Sequence, residues 1–305
     1  MSRDDVLGRS ALAPLHDQYP YWPSIPKRGL FIDERPALTN MDTAKIGDFV
    51  LLTVRDPLCS YERDPAEELA ARLDNVELAG RSGMFALYTG TYKGARITIA
   101  SGGSGAPEAE LVLHELMEFT DAHTYLRVGG SAGVGSDVYP GDVVIASGAM
   151  REEAMTRAYI DASFPAVSHY AVVGAMAQAA QDSGARYHVG ITVSVDSDFV
   201  GVGRPGVGGY LQPRNIERLA TWNRAGIRNS DRESSAVITM AALFGFRGGS
   251  VCSVADNVVE GRQFTSGAGH HSAVDIALEG CAVLQRMDEK AAAQGSTRWL
   301  PIMGC

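Results

Sequence analysis

The sequence predicts a single three-layer α/β domain, and three observations support this prediction. Apolar runs of strand length alternate with helical patterns along residues 41–295. The apolar runs are rich in Val and Ile without strict alternation, which is typical of strands covered on both faces. The 305-residue chain is 45% hydrophobic and has no Ser/Pro-rich linker or fixed-period repeat, so it can bury one large core. An N-terminal arm at 1–40 and a C-terminal tail at 296–305 flank this domain.

The arm is set apart by its prolines and aromatic residues. Proline fixes the backbone and restricts the residue before it, so this segment is expected to be extended rather than helical. Tyr19, Tyr21 and Trp22 lie within four positions, and such a cluster is expected to pack on its own domain or on a neighbouring subunit.

The strands and helices of the main domain follow from its apolar patterns. Strands are predicted at 48–54, 95–101, 124–129, 142–147, 188–195 and 249–255. Helices are predicted at Pro107–Thr120, Tyr170–Ser183, Arg214–Arg224, Ser234–Phe244 and His270–Ala293. Gly184 is expected to cap the second of these helices, because glycine readily adopts the left-handed conformation found at helix ends.

Composition excludes several functions. A net charge of −9 argues against a broad nucleic-acid-binding face but leaves room for a small cationic pocket. The four cysteines have no CxxC spacing, so neither a zinc site nor a disulfide framework is expected. The chain starts without the apolar core of a signal peptide, and no run reaches the roughly 18 apolar residues of a membrane span. A soluble, cytoplasmic protein without a bound metal is therefore expected.

Two polar segments are the candidates for chemistry. In the first, Asp231 and Glu233 flank Arg232 directly before a predicted helix, where carboxylates are favoured by the helix dipole and could simply be caps. In the second, Arg127 follows a strand and precedes the run Gly129-Gly130-Ser131. A guanidinium beside exposed amides can bind an anion, although Arg127 could also be a structural arginine paired with a surface acid.

Together these segments resemble the nucleoside phosphorylase family, and its uridine phosphorylases in particular. Five motifs occur in colinear order over roughly residues 45–285. They are Gly103–Pro107 with the helix after it, Arg127–Ser131, Phe199–Arg204, Ala225–Asn229 with Glu233–Ser235, and Val251-Cys252 with Glu260-Gly261.

The resemblance implies a mixed central sheet distorted toward a barrel and flanked by helices. It also implies cleavage of the N-glycosidic bond of a pyrimidine-type nucleoside by phosphate, giving free base and pentose 1-phosphate. Phosphate would be a co-substrate, with no cofactor. A homo-oligomer, either a dimer or a trimer of dimers, with active sites near the subunit boundary is expected as well.

This reaction builds positive charge on the sugar and negative charge on the base, so it needs an anion site, a clamp on the hydroxyls and a donor to the base. The resemblance assigns these three roles to Arg127, Glu233 and Arg204 in that order. Further substrate contacts are expected at Arg55, Gly103, Gly129, Gly130, Ser131, Phe199, Asp231, Arg232 and Asn257, although Arg55 and Arg232 are not the residues of the family pattern.

Several residues depart from the family pattern. Gly130 stands in place of a phosphate-binding threonine, and in the early phosphate loop Arg55 and Cys59 replace a glycine and an arginine. Val202 replaces the glutamine that reads uracil, and it can neither donate nor accept a hydrogen bond.

Arg232 replaces a methionine of the ribose segment. It is either neutralised by the acids beside it or meets an extra anion on the substrate, such as a 5′-phosphate or 5′-carboxylate. Whether Asp256 or Asn257 faces the base is open in the sequence.

Because of these departures, two alternatives stay open. One is a phosphate-independent N-glycosidase, or a phosphorylase for a modified or 5′-anionic nucleoside. The other is a non-catalytic nucleoside-binding relative.

Overall fold

The structure is a computed structural model that describes residues 14–55 and 61–304. Its strands are β1 Phe31–Ile32, β2 Arg35–Pro36, β3 Phe49–Val54, β4 Asp74–Ser82, β5 Phe85–Tyr92, β6 Ala95–Gly102, β7 Thr124–Gly133, β8 Val143–Arg151, β9 Ala166–Val167, β10 Tyr187–Ser194, β11 Asn229–Asp231 and β12 Arg247–Asp256. Its helices are α1 Pro65–Ala70, α2 Ala106–Phe119, α3 Met155–Tyr159, α4 Tyr170–Ser183, α5 Pro213–Arg224, α6 Ser234–Leu243 and α7 His270–Ala293.

A mixed sheet of ten strands forms the centre of the molecule. Its order is β11-β10-β8-β12-β7-β3-β6-β5-β4, with β9 beside β8. An additional antiparallel pairing of β11 with β7, at Asn229 opposite Gly133 and Ser230 opposite Ala132, returns the first strand to the fifth. Five strands thereby close into a barrel, and the other strands extend from it as an open sheet.

Helices cover both faces of this sheet. On one face α1, α4 and α7 bury a core with β3, β6, β7 and β12, while α2 and α6 enclose a second core on the other face. The parallel strand β3 is buried along its whole length, in agreement with its uninterrupted apolar sequence. The predicted fold class is confirmed: a mixed α/β domain with a barrel-like central sheet flanked by helices.

The predicted elements occur close to their expected bounds. The six predicted strands are β3, β6, β7, β8, β10 and β12, and the five predicted helices are α2, α4, α5, α6 and α7. Gly184 caps α4 in the left-handed conformation, with φ of 71°, as predicted.

The described part of the arm is tied to α2 by buried carboxylates. The backbone amides of Leu38 and Thr39 each donate to Glu115 at 2.9 Å, and Arg28 donates to Glu118 at 2.5 Å. Tyr19 and Tyr21 nevertheless stay exposed in this chain. Among residues 14–55 and 61–304, no helix is long and apolar enough to cross a membrane.

Candidate active site

A cavity of about 360 Å³ lies at one end of the barrel, within the size range of small-molecule sites. The strand β7, the loop that follows β10, the segment from β11 to α6 and the end of β12 form its walls. Of the residues predicted for the site, those in the wall are Arg127, Gly130, Ser131, Phe199, Arg204, Asp231, Arg232 and Glu233. Most of the predicted residues therefore meet at one place, although they come from three separate segments of the chain.

A buried ion pair lies in this wall. Glu233 Oε2 accepts a hydrogen bond from Arg127 Nε at 3.0 Å, and both residues are 2% exposed. Glu233 Oε1 accepts from the backbone amide of Gly105 at 2.6 Å. Glu233 precedes α6 but makes no side-chain hydrogen bond to it, so the capping alternative does not apply to this carboxylate. The surface-acid alternative for Arg127 does not apply either, because its partner is buried.

The charge of Glu233 favours the protonated, positively charged form of Arg127. Burial by itself disfavours the charged guanidinium, but the neighbouring acidic groups, with Glu233 the strongest of them, together outweigh this effect and raise the pKa of Arg127 above its ordinary value. The guanidinium also donates from Nη1 to the carbonyl of Val128. A permanent positive charge therefore lines the cavity at this point.

Asp231 is the acid that caps α6. Its Oδ2 accepts from the backbone amide and the hydroxyl of Ser234 at 3.0 and 2.5 Å, and its Oδ1 accepts from Ser194 Oγ at 2.6 Å. Burial and the neighbouring charge of Glu233 raise the pKa of Asp231. Asp231 was placed among the substrate contacts, but its carboxylate is directed into the protein, where it positions the start of α6 and leaves Glu233 free to face the cavity.

The glycine run beside Arg127 is shaped by the guanidinium. A Cβ at Gly129 would lie 1.9 Å from Arg127 Nη1, so a side chain here would displace the guanidinium from its place beside Glu233. Ser131 Oγ donates to the carbonyl of Ser253 at 2.7 Å and accepts from Asn229 Nδ2 at 2.9 Å. Because its only proton is used on Ser253, the Ser131 hydroxyl does not replace the donor that the family threonine would supply.

The other end of the cavity holds a second ion pair, between Arg204 Nη2 and Asp256 Oδ2 at 2.6 Å. Burial raises the pKa of Asp256, and the charge of Arg204 opposes that shift. Phe199 and Phe264, both partly exposed, line the same end. A cation, an acid with a raised pKa and two aromatic rings can bind a flat heterocycle and supply a proton to it.

The position of Asn257 corrects the sequence-based assignment. Asn257 Nδ2 donates to the carbonyls of Gly135 and Val138 at 2.8 and 3.0 Å, and Oδ1 accepts from the amide of Val259 at 3.1 Å. The side chain is fully buried by these contacts and does not line the cavity. Asp256, its neighbour in sequence, faces the cavity instead.

Three further predicted residues, Arg55, Gly103 and Gly129, lie outside the cavity wall. The Arg55 guanidinium is 5.6 Å from the Tyr61 ring and 4.0 Å from Asp64. Gly103 packs against Glu108, where a Cβ would lie 2.1 Å from the carboxylate. The rest of the early loop, including Cys59, lies outside the described residues.

Arg232 is directed away from the acids that flank it in sequence. Its guanidinium lies 3.2 Å from Ser104 Oγ, 3.2 Å from the carbonyl of Asp196 and 3.5 Å from the Asp198 carboxylate. Ser104, Asp198 and Phe264 also line the cavity but were not among the residues predicted for the site. Only Ser104 carried a signal, since it lies inside one of the glycine-rich motifs.

The barrel has a cavity lined by two ion pairs, of which Arg127–Glu233 is buried and Arg204–Asp256 is partly exposed. This arrangement is typical of an α/β enzyme that acts on a small polar molecule. Residues 47–284 match the phosphorylase superfamily, and the chain belongs to this family. The matched range agrees with the range over which the sequence resemblance was found.

Three relatives illustrate the match. A uridine phosphorylase of Thermococcus kodakarensis is 35% identical over 216 residues, covering 71% of this chain and 77% of the relative. A uridine phosphorylase of Treponema pallidum is 29% identical over 254 residues, covering 81% and 93% of the two chains. A guanosine phosphorylase of Halorubrum lacusprofundi is 29% identical over 197 residues, covering 65% and 76%. The predicted family and the predicted enzyme class, a pentosyltransferase, are confirmed.

Proposed function

We propose that this protein cleaves the N-glycosidic bond of a uridine-like nucleoside with phosphate, releasing the base and pentose 1-phosphate. The observation that carries the proposal is the buried Arg127–Glu233 pair in the cavity wall. It places an anion-binding cation directly beside a carboxylate that can hold a sugar. The relatives named uridine phosphorylase support the choice of base.

Glu233 is assigned to the vicinal hydroxyls of the pentose. A carboxylate offers about four lone-pair directions, and the short bonds from Gly105 and Arg127 use two of them. Ser104 Oγ donates to Oε1 at 3.4 Å, a longer bond that a sugar hydroxyl can replace. The remaining directions suit two neighbouring hydroxyl donors. As the glycosidic bond breaks, the nearby negative charge also favours the positive charge that develops on the sugar.

Arg127 is assigned to phosphate. Its Nε is used by Glu233 and its Nη1 by the carbonyl of Val128, which leaves Nη2 as the nitrogen that we assign to the incoming anion. Glycine amides add donors to such a site. The missing threonine hydroxyl and the inward-directed Ser131 make this anion site weaker than that of the family pattern, so a high KM for phosphate is expected.

A purine nucleoside is the second candidate substrate, and Asp256 favours it. Its carboxyl lies in the cavity wall, its pKa is raised by burial, and Arg204 holds it at 2.6 Å. A carboxylic acid with a raised pKa can protonate a ring nitrogen of the leaving base. One relative is named guanosine phosphorylase.

The deciding experiment is product analysis with uridine, thymidine, inosine and guanosine, with and without phosphate. We expect free base and pentose 1-phosphate from uridine, and only when phosphate is present. Equal release of base in phosphate-free buffer, with free pentose as the product, would establish the N-glycosidase alternative. Nucleoside binding by calorimetry without turnover would establish the non-catalytic alternative.

Substitution of Arg204 tests the base end of the cavity. Arg204→Ala is expected to lower kcat/KM on the best substrate by about 10- to 1000-fold, because it removes a cation from the charge that forms on the leaving base. Asp256→Asn is the companion variant. A larger loss from Asp256→Asn than from Arg204→Ala, on inosine or guanosine, would indicate the purine reaction. Unchanged kinetics in Arg204→Ala would remove this residue from the site.

We also propose that the enzyme is a cytoplasmic homo-oligomer, either a dimer or a trimer of dimers. Exposed apolar side chains on the arm support the oligomer, since Leu30, Phe31 and Ile32 are each more than half exposed in the single chain. Adjacent exposed apolar residues are typical of surfaces that contact another protein.

A further inference from the structure

Arg232 supplies the cavity with a cation that the proposed phosphorolysis does not use. Its side chain lines the cavity and is 28% exposed. Its Nε is buried and has no hydrogen-bond partner among the described residues. A buried donor without a partner is costly, so part of the hydrogen-bonding capacity of this guanidinium is not met by the described residues.

The protein neutralises this guanidinium only weakly. Ser104 Oγ and the carbonyl of Asp196 are uncharged. Among residues 14–55 and 61–304, the one carboxylate that contacts the guanidinium is Asp198, which lies at 3.5 Å and is 50% exposed. Ion pairs this exposed contribute little free energy. The charge of Arg232 is therefore available to a stronger partner within the cavity.

Arg232 lies close to Glu233, the carboxylate that is assigned to the sugar. Ser104 Oγ lies 3.2 Å from Arg232 Nη1 and 3.4 Å from Glu233 Oε1, so one hydroxyl separates the cation from the carboxylate assigned to the pentose. This step rests on the proposed function. An anion on the 2′ or 3′ oxygen would face Glu233 and be repelled, and C1′ carries the base. The position on the sugar that remains for an anionic group is C5′, the carbon outside the ring.

We propose that Arg232 binds an anionic group on C5′, a phosphate or a carboxylate, and that the preferred substrate is a nucleoside with this substituent. A guanidinium matches both groups, because two of its N–H bonds can be directed at two oxygens of one anion. Asp198 competes with this anion for the same cation and thereby weakens its binding.

Two matched variants test the proposal. We compare kcat/KM for three substrates: uridine, uridine 5′-monophosphate and the uridine 5′-carboxylate. The ratio of each anionic substrate to uridine is measured in the wild type, Arg232→Met and Asp198→Asn. The wild type is expected to favour both anionic substrates by about 10- to 100-fold, as for hydrogen bonds to a charged group. Arg232→Met should remove this preference, and Asp198→Asn should increase it. A preference for only one anion would identify which of the two is the ligand.

Binding provides a readout that does not depend on turnover. Calorimetry compares ribose 5-phosphate with ribose on the wild-type enzyme, and tighter binding of the phosphorylated sugar is expected. Equal affinity would overturn the inference even if no nucleoside is cleaved. If uridine is cleaved with phosphate but the anionic substrates have no advantage, this inference fails and the proposed function stands. If Arg232→Met does not fold, an unchanged ratio in the folded Asp198→Asn variant overturns it.

Discussion

Glu233→Gln is expected to lower kcat by about 100- to 1000-fold, a loss typical when one preorganised electrostatic group is removed. The amide keeps the shape of the side chain but loses the negative charge that favours a positive sugar. Its NH2 group also brings a donor against Arg127 Nε or the amide of Gly105, both of which now donate to the carboxylate. Steady-state kinetics on the best nucleoside, with circular dichroism to check folding, measure this effect.

Glu118→Gln is the matched control for that variant. Glu118 is also a buried acid paired with an arginine, but its partner is Arg28 in the arm. The control is expected to keep its activity, because it lies outside the cavity wall. A folded Glu233→Gln enzyme with more than half of the wild-type kcat would contradict the role assigned to Glu233.

Arg127→Ala is expected to abolish phosphate-dependent turnover and to destabilise the fold as well. Removing the cation leaves Glu233 buried without its charge partner, and breaking such a pair costs about 3–5 kcal/mol of unfolding free energy. Phosphate titration of turnover and urea unfolding of the same sample measure the two effects separately.

The double variant Arg127→Met with Glu233→Gln separates stability from catalysis. Replacing both charges removes the uncompensated carboxylate, so part of the lost unfolding free energy should return. Activity should not return, because both assigned groups are gone. An Arg127→Ala enzyme that retains phosphate saturation would contradict the proposed anion site, and one that is fully stable would contradict the stabilising role of the buried pair.

The sequence could predict the five longest helices and six strands from their apolar patterns, but not the eight-residue strand β5. It missed β4 because the first five residues of that strand are exposed and its apolar pattern is broken. It missed α1 and β11 because six and three residues are too short to establish a period. Local patterns could not predict the closure of the barrel either. The closure depends on only two residue pairs between β11 and β7, which are far apart in the sequence. The barrel-like sheet was expected only from the family resemblance.

The candidate site was predictable by segment but not by side chain. Asp231 and Glu233 both precede α6, and only the fold determines that one caps the helix and the other faces Arg127. Neighbouring residues of an extended strand point to opposite sides, so one position of register decides between Asp256 and Asn257. The pairing of Arg204 with Asp256 spans 52 positions and leaves no local signal.

The close contact at Gly129 has a consequence for how this family can vary. A side chain at position 129 would overlap the Arg127 guanidinium, with a Cβ only 1.9 Å from Nη1. A substitution at position 129 therefore requires the guanidinium to leave its place beside Glu233, so a descendant that keeps the arginine in this place is expected to keep the glycine. Selection is therefore expected to act on the two positions together. In a set of descendants, the pair Arg127 and Gly129 should be inherited or lost together, and a lineage with a side chain at 129 should have given up the cation first.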